Sequence, residues 1–202
     1  MGRHLDPLEA SEAADGLCRS DFDLDPAHAP EQAASLIPAA VLVGLVEREG
    51  GLSVILTRRA DTLRRHTGQI AFPGGRCDDG ETPWDAALRE AREEIGLDPD
   101  LVTLAGLSTA YRTGTGFHVT PVVGFVAAGF KPAPNPEEVA DVFETPFGFL
   151  MDPANHEERE HETPAGVRRR FYAMTWEDRL IWGATAGMLR ALYDRLYGAA
   201  VA

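Results

Sequence analysis

Residues 75–97 read GRCDDGETPWDAALREAREEIGL, a glycine-rich turn running into a capped helix with three glutamates on one side. Thr82 can accept from the backbone N–H of Asp85, Pro83 suits the first helical position with its fixed φ, and Asp85 completes a capping box at the positive end of the dipole. Gly96 follows an unbroken run of good helix formers and can take the left-handed conformation that closes a helix. These signals predict a helix over 83–95.

At about 100° per residue, Trp84, Ala87, Leu88, Ala91 and Ile95 share an apolar stripe, while Glu90, Glu93 and Glu94 gather on a separate one. Glu90 is i,i+3 to Glu93 and i,i+4 to Glu94, so the three carboxylates repel unless a cation lies between them. An oxygen-only ligand set favours a hard ion such as Mg²⁺ or Mn²⁺ over Zn²⁺. On the helix alone the competing reading is a solvated acidic face in which Arg89 pairs with Glu93.

The wider spacing decides between them: Gly75, five residues, Glu81, seven residues, Arg89-Glu90, two residues, Glu93-Glu94, one residue, Gly96, then aliphatic Leu97. This resembles the Nudix box, complete at every fixed position, with Ala91 merely small where a larger aliphatic is common. The resemblance implies a Nudix hydrolase, which attacks X-linked nucleoside diphosphates with water, built as an α/β/α sandwich around a mixed β-sheet. It implies that Glu90, Glu93 and Glu94, helped by the Gly75 carbonyl, hold Mg²⁺ or Mn²⁺, and that Arg89 orients them. Glu81 is expected to be a structural partner of the loop.

Upstream, residues 55–75 read ILTRRADTLRRHTGQIAFPGG. The order Thr57, Arg59-Ala60, Arg64, Gly68 and Phe72-Pro73-Gly74-Gly75 resembles the extra signature of the coenzyme A pyrophosphatase branch of that family, with Ile55 replacing a leucine. Arg58, Arg59, Arg64, Arg65 and His66 form a basic cluster in an otherwise acidic chain. Guanidinium groups bind phosphate through forked hydrogen bonds and stay charged at physiological pH, which suits a substrate carrying a diphosphate and a 3′-phosphate. Arg58 and Arg59 end a strand and point to opposite faces, so one of them serves the site; family spacing selects Arg59, with Arg64 and Gly74 as further substrate-binding positions. His66 is read as a structural group rather than a base.

The expected reaction is metal-dependent hydrolysis of the coenzyme A diphosphate to 3′,5′-adenosine diphosphate and 4′-phosphopantetheine, or its acyl form. Glu93 or Glu138 is the expected base, the latter because Nudix enzymes often recruit a glutamate from outside the box, and residues 135–139 read NPEEV. Competing readings are a Nudix pyrophosphatase acting on ADP-ribose or NADH, and a non-catalytic nucleotide-sensing Nudix domain. The array typical of the NADH branch is absent after the box, and no proline occurs between Pro99 and Pro121, where the ADP-ribose branch usually has one.

Composition sets the outer bounds. The 202 residues, 44% of them apolar, suit a single domain over 31–202 with an N-terminal extension over 1–30 that carries a short helix around 7–18. A net charge of −13 argues against nucleic acid and anionic membranes as partners, leaving a small-molecule substrate. Cys18 and Cys77 lie far apart and no apolar leader opens the chain, so a cytoplasmic protein without a disulfide framework is expected. The oligomeric state stays open, a homodimer included.

Strands are expected over 39–46 and 52–57 about a turn at Glu49-Gly50-Gly51, and near 69–72, 101–109 and 119–126. A last helix over 184–197 should turn Met188, Leu189, Leu192, Leu196 and Tyr197 inward. The segment HEEREH at 156–161 has histidines at i,i+5, which does not place both on one helix face as a zinc-protease motif requires, and is expected to be a charged loop. Thr113-Gly114-Thr115-Gly116 lacks the lysine of a phosphate-binding loop and reads as a flexible turn bordering the substrate.

Overall fold

A computed structural model describes residues 5–8, 18–29, 36–60, 68–163 and 166–198. In chain order the elements are β1 (Cys18–Ser20), β2 (Ile37–Arg48), β3 (Gly51–Arg59), β4 (Ile70–Ala71), β5 (Gly74–Arg76) and α1 (Pro83–Ile95). There follow β6 (Val102–Leu107), β7 (Ala110–Arg112), β8 (Phe117–Val126), β9 (Val139–Pro146), α2 (Phe147–Leu150), β10 (Glu157–Glu162), β11 (Arg168–Trp176), β12 (Arg179–Trp182) and α3 (Ala184–Tyr197).

The main sheet is mixed because its two longest neighbours, β2 and β8, run parallel from Ile37↔Phe117 to Val46↔Val126, while β3, β5, β6, β7 and β9 attach antiparallel to their partners. Along β2, Ala40, Leu42 and Val46 enter one core with Ala87, Ala91 and Ile95 of α1. Ala39, Val43 and Leu45 enter the other core with Met188, Leu189 and Leu192 of α3. A strand covered on both faces can be apolar at every position, which explains the unbroken run AAVLVGLV. The expected helix–sheet–helix layering is therefore present. Among the described residues no helix is long and apolar enough to cross a membrane.

Both expected long helices have the bounds their signals imply. In α1 the Thr82 hydroxyl accepts from the Asp85 N–H at 3.2 Å, and Gly96 takes φ 68° while its N–H returns to the Arg92 carbonyl. The buried stripe is shifted by part of a turn: Ala86 is fully buried, whereas Trp84 and Leu88 are only half-buried. In α3 Tyr197 is exposed rather than inward, its ring lying 5.5 Å from Tyr193 at the frayed end of the helix.

Residues 157–162 are not a loop. They form β10, antiparallel to β11, with β12 completing a three-stranded sheet. The pairing sets Glu160 opposite Arg170 and Glu162 opposite Arg168, and Arg170 also reaches Glu158 at 3.4 Å. Opposite charges across a ladder stabilise such a strand without the apolar alternation by which strands are usually read. The helix expected around 7–18 falls mostly outside the described residues. At its edges, Pro7 is exposed and non-helical, and Cys18 opens β1, which pairs parallel with β7.

Candidate active site

Two glycines let α1 approach the sheet. Gly74 and Gly75 in β5 pair with Val41 and Ala40 of β2, and the preceding Pro73 carbonyl accepts from the Leu42 N–H at 2.8 Å. A Cβ on Gly74 would lie 2.6 Å from the Val41 Cα, and one on Gly75 would lie 2.5 Å from the Glu90 Cδ. Gly74 has no space for a side chain, and at Gly75 the Glu90 carboxylate would have to move. The gain is direct contact between helix and turn: the Gly74 N–H donates to the Glu94 carboxylate at 3.2 Å.

Arg89 organises the outer half of the cluster. Its Nε and Nη2 donate to the two oxygens of Glu81 at 2.9 and 3.0 Å, a forked pair, while Nη2 also reaches the Arg76 carbonyl at 2.9 Å. Its Nη1 donates to Glu90 at 2.8 Å and to Glu93 at 3.4 Å. Glu81 in turn accepts from the Asp78 N–H at 2.9 Å. One guanidinium thus ties the turn, Glu81 and two of the three helix glutamates together, and these charge-assisted bonds hold the Glu81 carboxyl below its ordinary range. Glu81 is placed as a loop partner, as its position in the sequence suggests.

Glu94 is the inner carboxylate, only 5% exposed. Burial pushes its pKa up to about 7; the Gly74 N–H and Arg59 act against the shift, and the nearby charges of Glu90 and Glu138 add to it. Glu90 is also raised, first by burial, with Arg89 opposing and Glu93 and Glu138 reinforcing. Glu138, from the loop before β9, therefore shares an electrostatic neighbourhood with both helix carboxylates. Its backbone is fixed by its carbonyl, which accepts from the Ala60 N–H at 2.8 Å.

The strand β3 aims Arg59 at the same place. The β3–β9 register slips between Arg58 and Arg59, a bulge of the kind that redirects a side chain. The Arg59 guanidinium lies 4.0 Å from Glu94, and its Nε is buried without a hydrogen-bond partner among the described residues. A buried donor left unpaired beside a buried carboxylate leaves capacity for an incoming acceptor. Arg64, Arg65 and His66 lie outside the described residues.

The structure therefore brings Gly74, Gly75, Glu90, Glu94, Arg89, Arg59 and Glu138 to one cradle. Glu93 is the outlier: its side chain is 54% exposed and touches Arg89 at the helix surface. Among the described residues no three acidic, His or Cys side chains stand close enough to hold a metal ion in this arrangement. The donor set nonetheless fits a hard cation by chemistry, since it is all carboxylate and carbonyl oxygen and the pKa values of Glu90 and Glu94 are raised by burial and by neighbouring carboxylates. The Arg76 carbonyl and the Ala60–Glu138 link were not legible in the sequence, because backbone carbonyls accept whatever residue carries them and the second link joins segments far apart in the chain.

The NUDIX domain family model matches residues 36–171. The uncharacterized Nudix hydrolase NudL of Yersinia pestis (strain Pestoides F) is 39% identical over 159 residues, covering 78% of this chain and 79% of that protein. NudL of Yersinia pseudotuberculosis serotype O:1b gives the same values. Among solved structures, the Nudix hydrolase RenU from M. smegmatis is similar at TM-score 0.47 and 28% identity, over 55% of this chain and 71% of that one. A C. elegans Ap4A hydrolase binary complex is similar at TM-score 0.48 and 20% identity, over 55% and 80%.

Proposed function

This chain belongs to the Nudix hydrolase family and is an enzyme, a pyrophosphatase acting on phosphoric anhydrides, and from that premise we propose that it hydrolyses the diphosphate of coenzyme A or its acyl derivatives. The observation that carries the substrate reading is Arg59. It stands in the upstream signature and reaches the carboxylate cradle with a buried, unpaired Nε.

Glu90, Glu94 and Glu93, with the Gly75 carbonyl, would hold Mg²⁺ or Mn²⁺. When bound, such an ion neutralises charge on the diphosphate and acidifies water. The chain's own residues do the rest. Arg59 donates to a phosphate oxygen, and Arg64, outside the described residues, is the second basic residue that the upstream signature assigns to the substrate. The Gly74–Gly75 turn lets the diphosphate approach the backbone. Arg89 holds Glu90 and the turn in register, so that the cradle is organised before substrate arrives. Glu138, or Glu93 from the outer face, accepts the proton of the attacking water at its carboxylate. Products are 3′,5′-adenosine diphosphate and 4′-phosphopantetheine, or the acyl form of the latter.

The test is product analysis in oxygen-labelled water with Mg²⁺ or Mn²⁺, offering coenzyme A, ADP-ribose and NADH in parallel and Glu94→Gln as control. We expect labelled product from coenzyme A, abolished in the variant. Preferential turnover of ADP-ribose or NADH would overturn the substrate and leave the chemistry. Absence of any turnover would favour a nucleotide-sensing domain.

A further inference from the structure

A cavity of about 410 Å³ lies apart from the carboxylate cradle, between the N-terminal arm and the three-stranded sheet. Ser20, Asp21, Asp23 and Leu24 of the arm form one wall, Tyr111 and Thr115 around the β7–β8 turn a second, and Phe171 and Trp182 a third. No cradle residue lines it. Tyr111 belongs to the core on the α3 side of the sheet, whereas α1 covers the opposite side. In the sheet, β8 and β2 intervene between β7 and the strand that carries Arg59.

Its chemistry is divided. Phe171 and Trp182 meet edge to face, with centroids 5.5 Å apart, and form an aromatic corner of the cavity. Arg169 is half-buried, lies 4.6 Å from the Phe22 ring and donates a long bond, 3.4 Å, to the His28 carbonyl. Among the described residues it has no carboxylate at ion-pair distance, while its neighbour Arg170 is paired with Asp25 and Glu158. On the arm side, the Asp21 carboxylate accepts from the Tyr111 hydroxyl at 3.1 Å and the Gly114 N–H at 2.7 Å. Burial pushes the Asp21 pKa up, against the Gly114 N–H, the Tyr111 hydroxyl and the charge of Arg169.

A guanidinium that feels the Asp21 charge but is outside ion-pair distance of any carboxylate among the described residues, an aromatic corner and a carboxyl on the arm suit one class of small molecule. A planar base stacks on aromatic faces, its exocyclic amine donates to a carboxyl, and its phosphate takes the guanidinium. The volume falls within the usual range for small-molecule sites. We propose that this cavity, closed by the N-terminal arm, binds a nucleotide, with the base against Phe171 and Trp182 and the phosphate on Arg169. Two sources share that chemistry: the adenosine 3′-phosphate portion of a substrate whose diphosphate lies in the cradle, and a separate nucleotide effector.

The experiment is calorimetric titration of the full chain with 3′,5′-adenosine diphosphate and with AMP, chelator present, so that binding is read without turnover. The expected result is equal binding by the unaltered chain and Glu94→Gln, and affinity at least about tenfold weaker in Arg169→Gln and Trp182→Leu, the loss of one charged or stacking contact. The two variants alter different walls, so a folding defect in one leaves the other as the test. Absence of binding overturns the proposal, as does binding lost in Glu94→Gln but kept in both cavity variants. Steady-state rates then assign the source. A raised KM for coenzyme A in Arg169→Gln marks the substrate's own nucleotide, and a nucleotide-dependent rate change abolished by Arg169→Gln at unaltered KM marks an effector. Failure of the coenzyme A reading would leave the calorimetric result standing.

Discussion

Gly75 is constrained from two sides, by its ladder to Ala40 and by the Glu90 carboxylate that fills the space where a Cβ would sit. Gly75→Ala must push either the turn or Glu90 away. Overpacking of this kind costs about 1–3 kcal/mol, and here the displaced atoms include a proposed metal ligand. We expect turnover to fall by well over about tenfold while the thermal midpoint drops only by several degrees, a split that equilibrium unfolding and initial rates together would reveal. Equal loss of both would mean the glycine serves folding alone. Arg59 poses the complementary case. At 4.0 Å the pair with Glu94 is loose, and a lysine keeps the charge facing that buried carboxylate, so Arg59→Lys should cost no more than about 1 kcal/mol. A lysine keeps the charge but loses the fork, so KM for coenzyme A should rise by about tenfold, measured against substrate concentration at saturating metal. An unchanged KM would remove Arg59 from the substrate site.

At the scale of elements, α1 depends on its first turn. Thr82 supplies the side-chain acceptor that the Asp85 N–H would otherwise lack, and Thr82→Ala should cost about 1 kcal/mol in urea unfolding. His156 provides the pH-dependent counterpart between α2 and α3. Its Nε2–H donates to the Leu150 carbonyl at 2.7 Å, its ring meets Tyr193 edge to face, and its Nδ1 is buried without a partner among the described residues. Burial lowers its pKa from the ordinary 6.5; the Leu150 carbonyl opposes that shift and Arg190 assists it. With the folded value depressed, the unfolded chain binds the proton more readily. The contribution is complete above the ordinary value and is lost as pH falls through it towards the folded value. Unfolding midpoints at about pH 8 and about pH 5.5 should therefore diverge less in His156→Gln than in the unaltered chain. The same elements show what the sequence made legible. Caps, an apolar run and a glycine turn are local signals, and α1, α3, β2, β3 and β8 follow from them. Residues 157–162 gave no such signal because β10 is held by charges on β11, across a gap in sequence that no local pattern spans. In the site, the box glutamates and Arg89 could be read from spacing. The joining of Glu138 to them depends on a backbone bond to Ala60, which only the folded chain supplies.

At the scale of the whole molecule, the segment before β2 is more than an appendage. Leu5 is buried in the α3-side core, and Asp6 exchanges backbone hydrogen bonds with Leu107 at 2.9 Å each way. Two ion pairs bind this region to α3, Arg19 to Asp194 at 2.6 Å and Arg195 to Asp6 at 2.5 Å. We therefore propose that the folding unit begins before residue 31, with the N-terminal arm as a strap that ties α3 to the β7 edge. The Arg19–Asp194 pair is partly exposed and contributes little, while the attraction in the largely buried Arg195–Asp6 pair is offset by desolvation, so the apolar anchor should dominate the energetics. Leu5→Ala removes a buried side chain from a packed core and should destabilise the domain by about 2–3 kcal/mol, at the lower end of the usual range because the site lies at its margin. The measurement is urea unfolding followed by two probes, far-ultraviolet dichroism and tryptophan emission. A single coincident transition shifted to lower urea means that the arm and the sheet unfold as one unit. A midpoint unchanged within error would show that the arm packs on a domain that is already complete, and the strap would then contribute only to the cavity it closes.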